Sequence, residues 1–138
     1  MQRPQLEKDA EREILNSLHK AGLVAFHMDT TIDGFPDILV MGGYVALIEM
    51  KYDRSGGRIK LSELMESSQP VFMHDCIMAG FYAIHLCVFD GESYTIYDTA
   101  NILNASMAGH TLGSLTRIIS HASPAAVADY IMEDCCAC

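Results

Sequence analysis

Three charged residues mark the ends of two short apolar runs in GFPDILVMGGYVALIEMK, residues 34–51. Asp37 begins the first run, and Glu49 and Lys51 close the second. Two carboxylates held a few ångströms apart repel each other unless a cation neutralises them. A hard divalent ion such as Mg²⁺ takes oxygen ligands of this kind and keeps several of its waters. If the fold brings these residues together, they have the chemistry for metal-assisted hydrolysis of a phosphodiester.

Each residue of this group has a predicted role in such a reaction. Asp37 and Glu49 are predicted metal ligands, and the backbone carbonyl of Met50 is a further oxygen donor. The Lys51 ammonium is predicted to orient or deprotonate an attacking water, or to stabilise negative charge on a phosphate. A surface ion pair at a strand end is the alternative that an isolated Glu-x-Lys would favour. The Pro36-Asp37 pair at this spacing favours the functional interpretation.

A β-hairpin is the element expected to position these residues. Gly42-Gly43 separates the two apolar runs and is typical of a two-residue turn between antiparallel strands. Side chains alternate faces along a strand, so Glu49 and Lys51 project to the same side. Pairing about the turn is expected to place Asp37 close to Glu49.

The rest of the chain alternates between helical and strand patterns, with turn residues between them. The predicted elements are a helix over 6–21, strands over 23–28, 37–41 and 44–51, a helix over 62–80, strands over 81–89 and 93–98, and helices over 112–122 and 124–134. This order predicts the α/β class, with a central mixed β-sheet flanked by helices. The 138 residues are expected to form a single domain, with a core over about 7–98 and a C-terminal helical extension over about 99–138.

The composition indicates a globular protein whose overall charge does not attract nucleic acid. Half of the residues are hydrophobic, which is enough to bury a core. The net charge is −9, from nine Lys and Arg against eighteen Asp and Glu, whereas affinity for nucleic acid depends on neutralising phosphates. A local exception follows the hairpin, where Arg54, Arg58 and Lys60 are candidate contacts for DNA phosphates. A solvated loop is the alternative for these three residues.

The apolar runs and the polar N-terminus give expectations about location. No run approaches the length that spans a membrane, and the polar N-terminus does not resemble a signal peptide. An intracellular, cytoplasmic protein without membrane contact is therefore expected.

Near the C-terminus, Cys135, Cys136 and Cys138 have no second pair of ligands upstream. This favours a frayed, oxidisable tail over a soft-metal site.

The charged motif resembles that of the PD-(D/E)xK nuclease superfamily. It stands here as Pro36-Asp37, eleven intervening residues and Glu49-Met50-Lys51. The flanking segment EREILNSLHKAGLVAFH, residues 11–27, resembles the first helix and strand of archaeal-type Holliday-junction resolvases. GFPDILV, KLS, Gln69 and the Ala79-Gly80 helix end also resemble the virus-type replication-repair nuclease (VRR-NUC) domain. The resemblance covers about residues 7–90.

The resemblance implies a restriction-endonuclease-like core with the order α-β-β-β-α-β. It implies a Mg²⁺-dependent, structure-selective DNA endonuclease, with Mn²⁺ able to substitute, acting on branched DNA such as Holliday junctions; flap, nicked or foreign DNA is the alternative target. A helix Glu that completes the metal site maps to Glu11, with Glu7 and Glu13 as rivals, and Gln69 maps near the site. A homodimer is implied, since cutting two strands of a junction needs two active sites.

A catalytically silent protein of the same fold is the competing hypothesis. It would act through protein–protein contacts or mimic DNA with its acidic surface, and the net charge of −9 favours it. The intact set of Asp37, Glu49 and Lys51 argues against it, because a protein without catalysis has no chemical need for all three. Junction resolvases tend to be basic, and a viral origin, hence a host-cell cytoplasm, would make the acidic chain less surprising.

Overall fold

The structure, a computed structural model, describes residues 3–136, with side chains from 5 to 134. Its helices are α1 (Arg3–Lys20), α2 (Leu61–Leu64), α3 (Ser68–Met78), α4 (Ile102–Met107) and α5 (Pro124–Cys136), with a 3₁₀ turn at Leu112–Ser114. Its strands are β1 (Val24–His27), β2 (Ile38–Met41), β3 (Val45–Tyr52), β4 (Ile84–Phe89), β5 (Tyr94–Tyr97) and β6 (Arg117–Ala122). Among the helices described, none combines the length and apolar character that crossing a bilayer requires. Cys138 and the side chains of Cys135 and Cys136 lie outside the described part, so the tail remains a prediction.

One mixed sheet organises the fold. Its strands lie in the order β1-β2-β3-β4-β5-β6, and each neighbouring pair is antiparallel except β3 with β4. The crossover that joins this parallel pair carries α2 and α3. Helices α1 and α5 cover one face of the sheet, and α2, α3 and α4 cover the other. The predicted α/β class and the order α-β-β-β-α-β are confirmed.

Helix α1 and strand β3 show how the sequence pattern produces this packing. α1 buries Ala10, Ile14 and Leu18, which recur every four residues and form one apolar stripe. Along β3 the side chains alternate, so Ile48 packs under α1 and α5 while Leu47 packs under the helices of the other face. Burying a side chain of this size contributes about 1.5–3 kcal/mol.

The C-terminal region departs from its prediction. The helix predicted over 112–122 is wrong, because this segment forms the 3₁₀ turn and strand β6. Strand β5 has β4 on one side, and β6 pairs with the N–H and C=O groups of its other edge. Ile118 and Ile119 are β-branched, which suits a strand, and short apolar runs do not reveal their period reliably. The extension is therefore mixed, with helices α4 and α5 around a strand.

Helix α5 is tied to the sheet by a polar pair. The Nε2 atom of His85, on β4, lies 2.8 Å from a carboxylate oxygen of Asp134. The ring of Tyr130 packs edge-on against His85, with centroids 5.6 Å apart. His85 is buried, whereas the Asp134 side chain is 35% exposed. The hydrogen bond with His85 lowers the pKa of Asp134 from its ordinary value of 3.8.

Replacing Asp134 with Asn is expected to lower the free energy of unfolding by less than about 1 kcal/mol at neutral pH, since solvent screens the partly exposed carboxylate. The folded-state pKa is lowered, so the ionised carboxylate stabilises the fold above pH 3.8. This stabilisation is lost as the pH falls through the lowered pKa. The free energies of unfolding of the wild type and Asp134→Asn, measured in urea, should converge as the pH decreases. Asp129→Asn, at an exposed position of α5, is the matched control. A difference in unfolding free energy that persists in acid contradicts the prediction.

Candidate active site

The hairpin of β2 and β3 brings the two predicted acidic ligands together. Ile38 pairs with Ile48, so the preceding Asp37 lies across from Glu49. The predicted two-residue turn is wrong, because three residues, 42–44, connect the strands. A two-residue turn would shift the register by one and turn Asp37 to the opposite face from Glu49. The longer turn thus puts both carboxyl groups on one face.

Asp37 and Glu49 are in direct contact. One carboxylate oxygen of Asp37 accepts the N–H of Met50 at 2.8 Å, which fixes the Asp37 side chain against β3. The two carboxyl groups also share a hydrogen bond. The arrangement is a pair of acids that meets where β2 begins, beside the buried part of β3.

Glu49 is a buried acid. It is 2% exposed, and the Nε2 of Gln69 donates a hydrogen bond to its Oε1 at 3.0 Å. Burial raises the pKa of Glu49 to about 10, the hydrogen bond and charge of Asp37 act in the same direction, and the charge of Lys51 opposes them. At neutral pH Glu49 therefore holds a proton when no cation is bound.

Gln69 is held in place by the segments around it. Its Oε1 accepts the N–H of Glu66 at 2.9 Å, which leaves its amide nitrogen for Glu49. Gly34, with φ +80°, packs against the start of α3. A Cβ at Gly34 would overlap the carbonyl oxygen of Ser68 and lie 3.2 Å from the backbone nitrogen of Gln69. The loop before β2 thus supports the orientation of Gln69, and glycine allows this close approach.

A cavity of about 280 Å³ lies at this end of the sheet. Its lining residues are Glu7, Lys8, Glu11, His27, Asp37, Glu49, Met50, Lys51, Glu66 and Gln69. The structure therefore gathers the predicted catalytic and metal-ligating positions around one space. Five acidic side chains against two lysines give the lining an attraction for cations.

Helix α1 and strand β1 each contribute to the cavity. The Nδ1 of His27 lies 2.9 Å from the Oε1 of Glu11. Burial raises the pKa of Glu11, and the hydrogen bond with Glu11 raises the pKa of His27. Glu7 also lines the cavity and accepts the N–H of Tyr52 at 3.4 Å. Glu13 does not line it, so Glu7 and Glu11 are the remaining candidates for the helix carboxylate.

His27 is a lining residue that the charged motif does not include. It ends β1, and the next residue, Met28, donates its N–H to the carbonyl of Asp37 at 2.7 Å. The end of β1 and the beginning of β2 therefore meet at the same edge. The position of His27 near the end of the strand predicted over 23–28 was the signal that could have placed it here.

The predicted phosphate contacts separate in the structure. Arg54 lines a second cavity, of about 520 Å³, together with Tyr52 and Gly91. Arg58 and Lys60 are exposed and line neither of these two cavities. Of these three basic residues, Arg54 lies nearest along the chain to Asp37 and Glu49, and it lines the cavity beside theirs.

Hydrogen bonds hold the loop that carries these basic residues. Asp53 is buried, and its carboxylate accepts the N–H groups of Ser55 and Gly57. The Gly57 carbonyl accepts the N–H of Gly113, from the C-terminal extension. The extension therefore shapes the loop that follows Lys51.

The donor set fits a hard divalent cation. Within the described part of the chain, no three His, Cys, Asp or Glu side chains are already gathered as a complete metal-ligand group. Mg²⁺ is usually held through one or two carboxylates, several waters and substrate phosphates, so it does not require a complete group of protein ligands. Asp37 and Glu49 supply two carboxyl groups in contact, and a bound cation would offset the charge of Asp37 that contributes to the raised pKa of Glu49. Glu7 and Glu11 line the same cavity and are candidates for a further oxygen ligand.

No family model and no curated protein matches the sequence. Among solved structures, the chain is similar to Hjc, a Holliday junction resolvase from the archaeal hyperthermophile Archaeoglobus fulgidus. The two are 20% identical, the match covers 64% of this chain and 74% of that chain, and the TM-score is 0.47.

Proposed function

We propose that the protein is a divalent-metal-dependent DNA endonuclease that cuts branched DNA. The observation that carries this proposal is the contact between the buried Glu49 and the partly buried Asp37, in a cavity that Lys51 also lines. Burying Glu49 in contact with a second acid opposes folding. Perturbed groups of this kind cluster at functional sites. The resemblance of the motif to PD-(D/E)xK nucleases supports phosphodiester hydrolysis.

Each residue has a proposed task in the hydrolysis. Bound Mg²⁺, for which Mn²⁺ can substitute, would neutralise charge on the phosphate and make a bound water more acidic. Asp37, Glu49 and the carbonyl of Met50 hold the ion. The Lys51 ammonium orients the attacking water and stabilises the charge that develops on the phosphate. Gln69 keeps the Glu49 carboxylate oriented through its 3.0 Å hydrogen bond.

Local charge, rather than net charge, is proposed to hold the DNA. The chain carries a net charge of −9, so phosphates are attracted only near its basic residues. Arg54 is the proposed contact beside the site, and Arg58 and Lys60 are proposed contacts further along the loop. Branched DNA is proposed because the motif and its flanks resemble junction resolvases, and the proposed place of action is the cytoplasm.

The test is cleavage of a labelled four-way junction beside a linear duplex of the same sequence. The wild-type protein is expected to cut the junction with Mg²⁺ or Mn²⁺ and to leave it intact in EDTA. Cutting of both substrates would keep the hydrolysis and remove the preference for branches. Failure to cut junction, flap and nicked DNA alike would contradict the proposal.

A catalytically silent role is the second candidate function. The net charge of −9 and the acidic lining of the cavity favour it, because both resemble the surface of DNA more than a surface that binds DNA. Such a protein would displace DNA from a basic DNA-binding protein and cut nothing. A competition assay in the absence of metal distinguishes it from the nuclease.

We also propose a homodimer that forms through the outer face of the first three strands. Val24, Met41 and Val45 lie side by side across β1, β2 and β3, and each is exposed. Phe26, two residues along β1 on the same face, is 42% exposed. Contiguous exposed apolar surface typically marks an interaction site. β1 is also an edge strand, so this face continues to the border of the sheet.

Phe26→Glu is expected to convert the dimer into single chains, because it introduces a charge into an apolar interface. Light scattering after gel filtration should give about twice 15.2 kDa for the wild type and 15.2 kDa for the variant. Met107→Glu alters an exposed apolar residue of α4, outside this face, and should leave the mass unchanged. A wild-type mass of one chain at every concentration argues against the dimer.

A further inference from the structure

We infer that the cavity beside the candidate active site binds one unpaired nucleotide of the DNA substrate, with its base stacked on Tyr52 and its phosphate against Arg54. The inference rests on the proposed nuclease function. It goes further by naming the feature of branched DNA that the protein recognises and the residues that recognise it.

The cavity has the size and the position for this ligand. Its volume is about 520 Å³, within the range of roughly 300–1,000 Å³ that ligand pockets occupy. Tyr52 directly follows Lys51, and Leu6 directly precedes Glu7, so the two cavities adjoin across consecutive residues of β3 and α1. A nucleotide in the second cavity is therefore next to a phosphate held at the candidate active site.

Gly91 lies beside both of the proposed recognition side chains. It lies in the turn between β4 and β5 and has φ +105°. A Cβ placed on it would be 3.9 Å from both the Nε of Arg54 and the hydroxyl of Tyr52. The side chains of Arg54 and Tyr52 thus both approach Gly91, which has no side chain of its own. The ring of Phe89 packs against Tyr52, with centroids 6.2 Å apart, and supports it.

The lining matches a nucleotide better than a free phosphate. Arg54 is exposed and offers its charge to a phosphate, and Tyr52 offers an aromatic face to a base. The carboxylate of Glu92 is an acceptor for the exocyclic amino group of a base. Asp90 accepts the N–H groups of Glu92 and Ser93, so it serves to hold the turn. Two acids beside one arginine would weaken the binding of a bare phosphate.

Stacking on Tyr52 requires a base that has left the DNA stack. In a continuous duplex both faces of each base are covered, and extruding one costs free energy. At a branch that carries an unpaired nucleotide, the base is already outside the duplex, so this cost is smallest there. The cavity would therefore favour branched DNA with an unpaired nucleotide over linear duplex, without reading any sequence.

The experiment uses the full chain in EDTA, where the proposed reaction cannot proceed, and branched DNA with a single unpaired 2-aminopurine at the branch. Fluorescence anisotropy of a distant label measures affinity, and the 2-aminopurine emission reports stacking. The wild type is expected to bind and to change the emission. Tyr52→Leu is expected to lose the change in emission and to bind branched DNA about tenfold more weakly. Tyr52→Phe keeps the aromatic face and should retain both signals.

A matched control makes the result decisive. Tyr82 is 73% exposed and precedes β4 at the opposite end of that strand from the cavity, so Tyr82→Leu should behave as wild type. Emission that does not respond to Tyr52→Leu, or an equal loss of affinity for linear duplex, overturns the subsite and leaves metal-dependent cleavage as a separate question. A wild type that binds no DNA in EDTA overturns the subsite, and the cleavage assay with metal then decides on the nuclease. If Tyr52→Leu does not fold, Arg54→Ala is the second test, with the larger loss of affinity expected on branched DNA.

Discussion

Glu49→Gln is expected to reduce metal-dependent cleavage of branched DNA by at least about 10³-fold, because the ligand charge disappears. The amide has nearly the volume of the carboxyl group and can still accept the hydrogen bond from Gln69, so the loss isolates the charge. Lys51→Met is expected to lose a similar factor, since its ammonium no longer stabilises the developing charge. Initial rates at saturating Mg²⁺ measure both effects.

The same Glu49 variant is expected to be as stable as the wild type or more stable. Glu49 is 2% exposed, and burial beside another acid makes its ionised form costly. Its pKa is raised to about 10, so the metal-free protein holds a neutral carboxyl group there, and glutamine is neutral as well. Thermal unfolding without metal is the check. Lost activity with retained or increased stability is typical of a functional group that strains the fold.

Glu66→Gln is the matched control for this substitution. Glu66 lines the same cavity, but it is exposed and does not belong to the acidic pair. Its variant should cut branched DNA at close to the wild-type rate. Normal cleavage by Glu49→Gln, or equal losses in the two variants, would show that the buried acid has no special role.

Gly34→Ala is expected to destabilise the protein by about 1–3 kcal/mol more than Gly22→Ala does. Both glycines have positive φ, +80° and +88°, so alanine is strained at each by about 1–2 kcal/mol. Around Gly22 nothing lies within 4 Å of the added Cβ. At Gly34 the Cβ would overlap the Ser68 carbonyl oxygen and lie 2.7 Å from its carbon, so the backbone must move. Chemical denaturation of the two variants measures the difference.

The Gly34 variant should also lose cleavage activity, because the shifted start of α3 carries Gln69 away from Glu49. Gly22→Ala provides the control, since it lies after α1 and has no such neighbour. Equal costs in stability for the two glycines would show that the loop does not press on α3. Full activity in a destabilised Gly34→Ala protein would show that Gln69 is not held through this contact.

The order of elements and the approach of Asp37 to Glu49 were predictable because both arise from local patterns. Side-chain alternation and a glycine turn bring the ends of two neighbouring strands together independently of the rest of the chain. The exact register was not predictable from Gly42-Gly43, because a turn longer by one residue moves the strand by one and reverses its faces. The observed pairing of Ile38 with Ile48 settles which face carries the acids.

Features that join distant parts of the chain came from the folded structure. The hydrogen bond between Gln69 and Glu49 joins residues twenty positions apart in the sequence, and the one between His27 and Glu11 joins residues sixteen positions apart. No sequence periodicity predicts such contacts. Strand β6 forms because β5 has an open edge, and that demand overrides the helical spacing of its residues. Local propensity differences are fractions of a kcal/mol per residue, whereas edge pairing and burial act on several residues at once. Strand pairing therefore decided the segment that forms β6, while local pattern was sufficient to predict the hairpin that holds the acids but not its register.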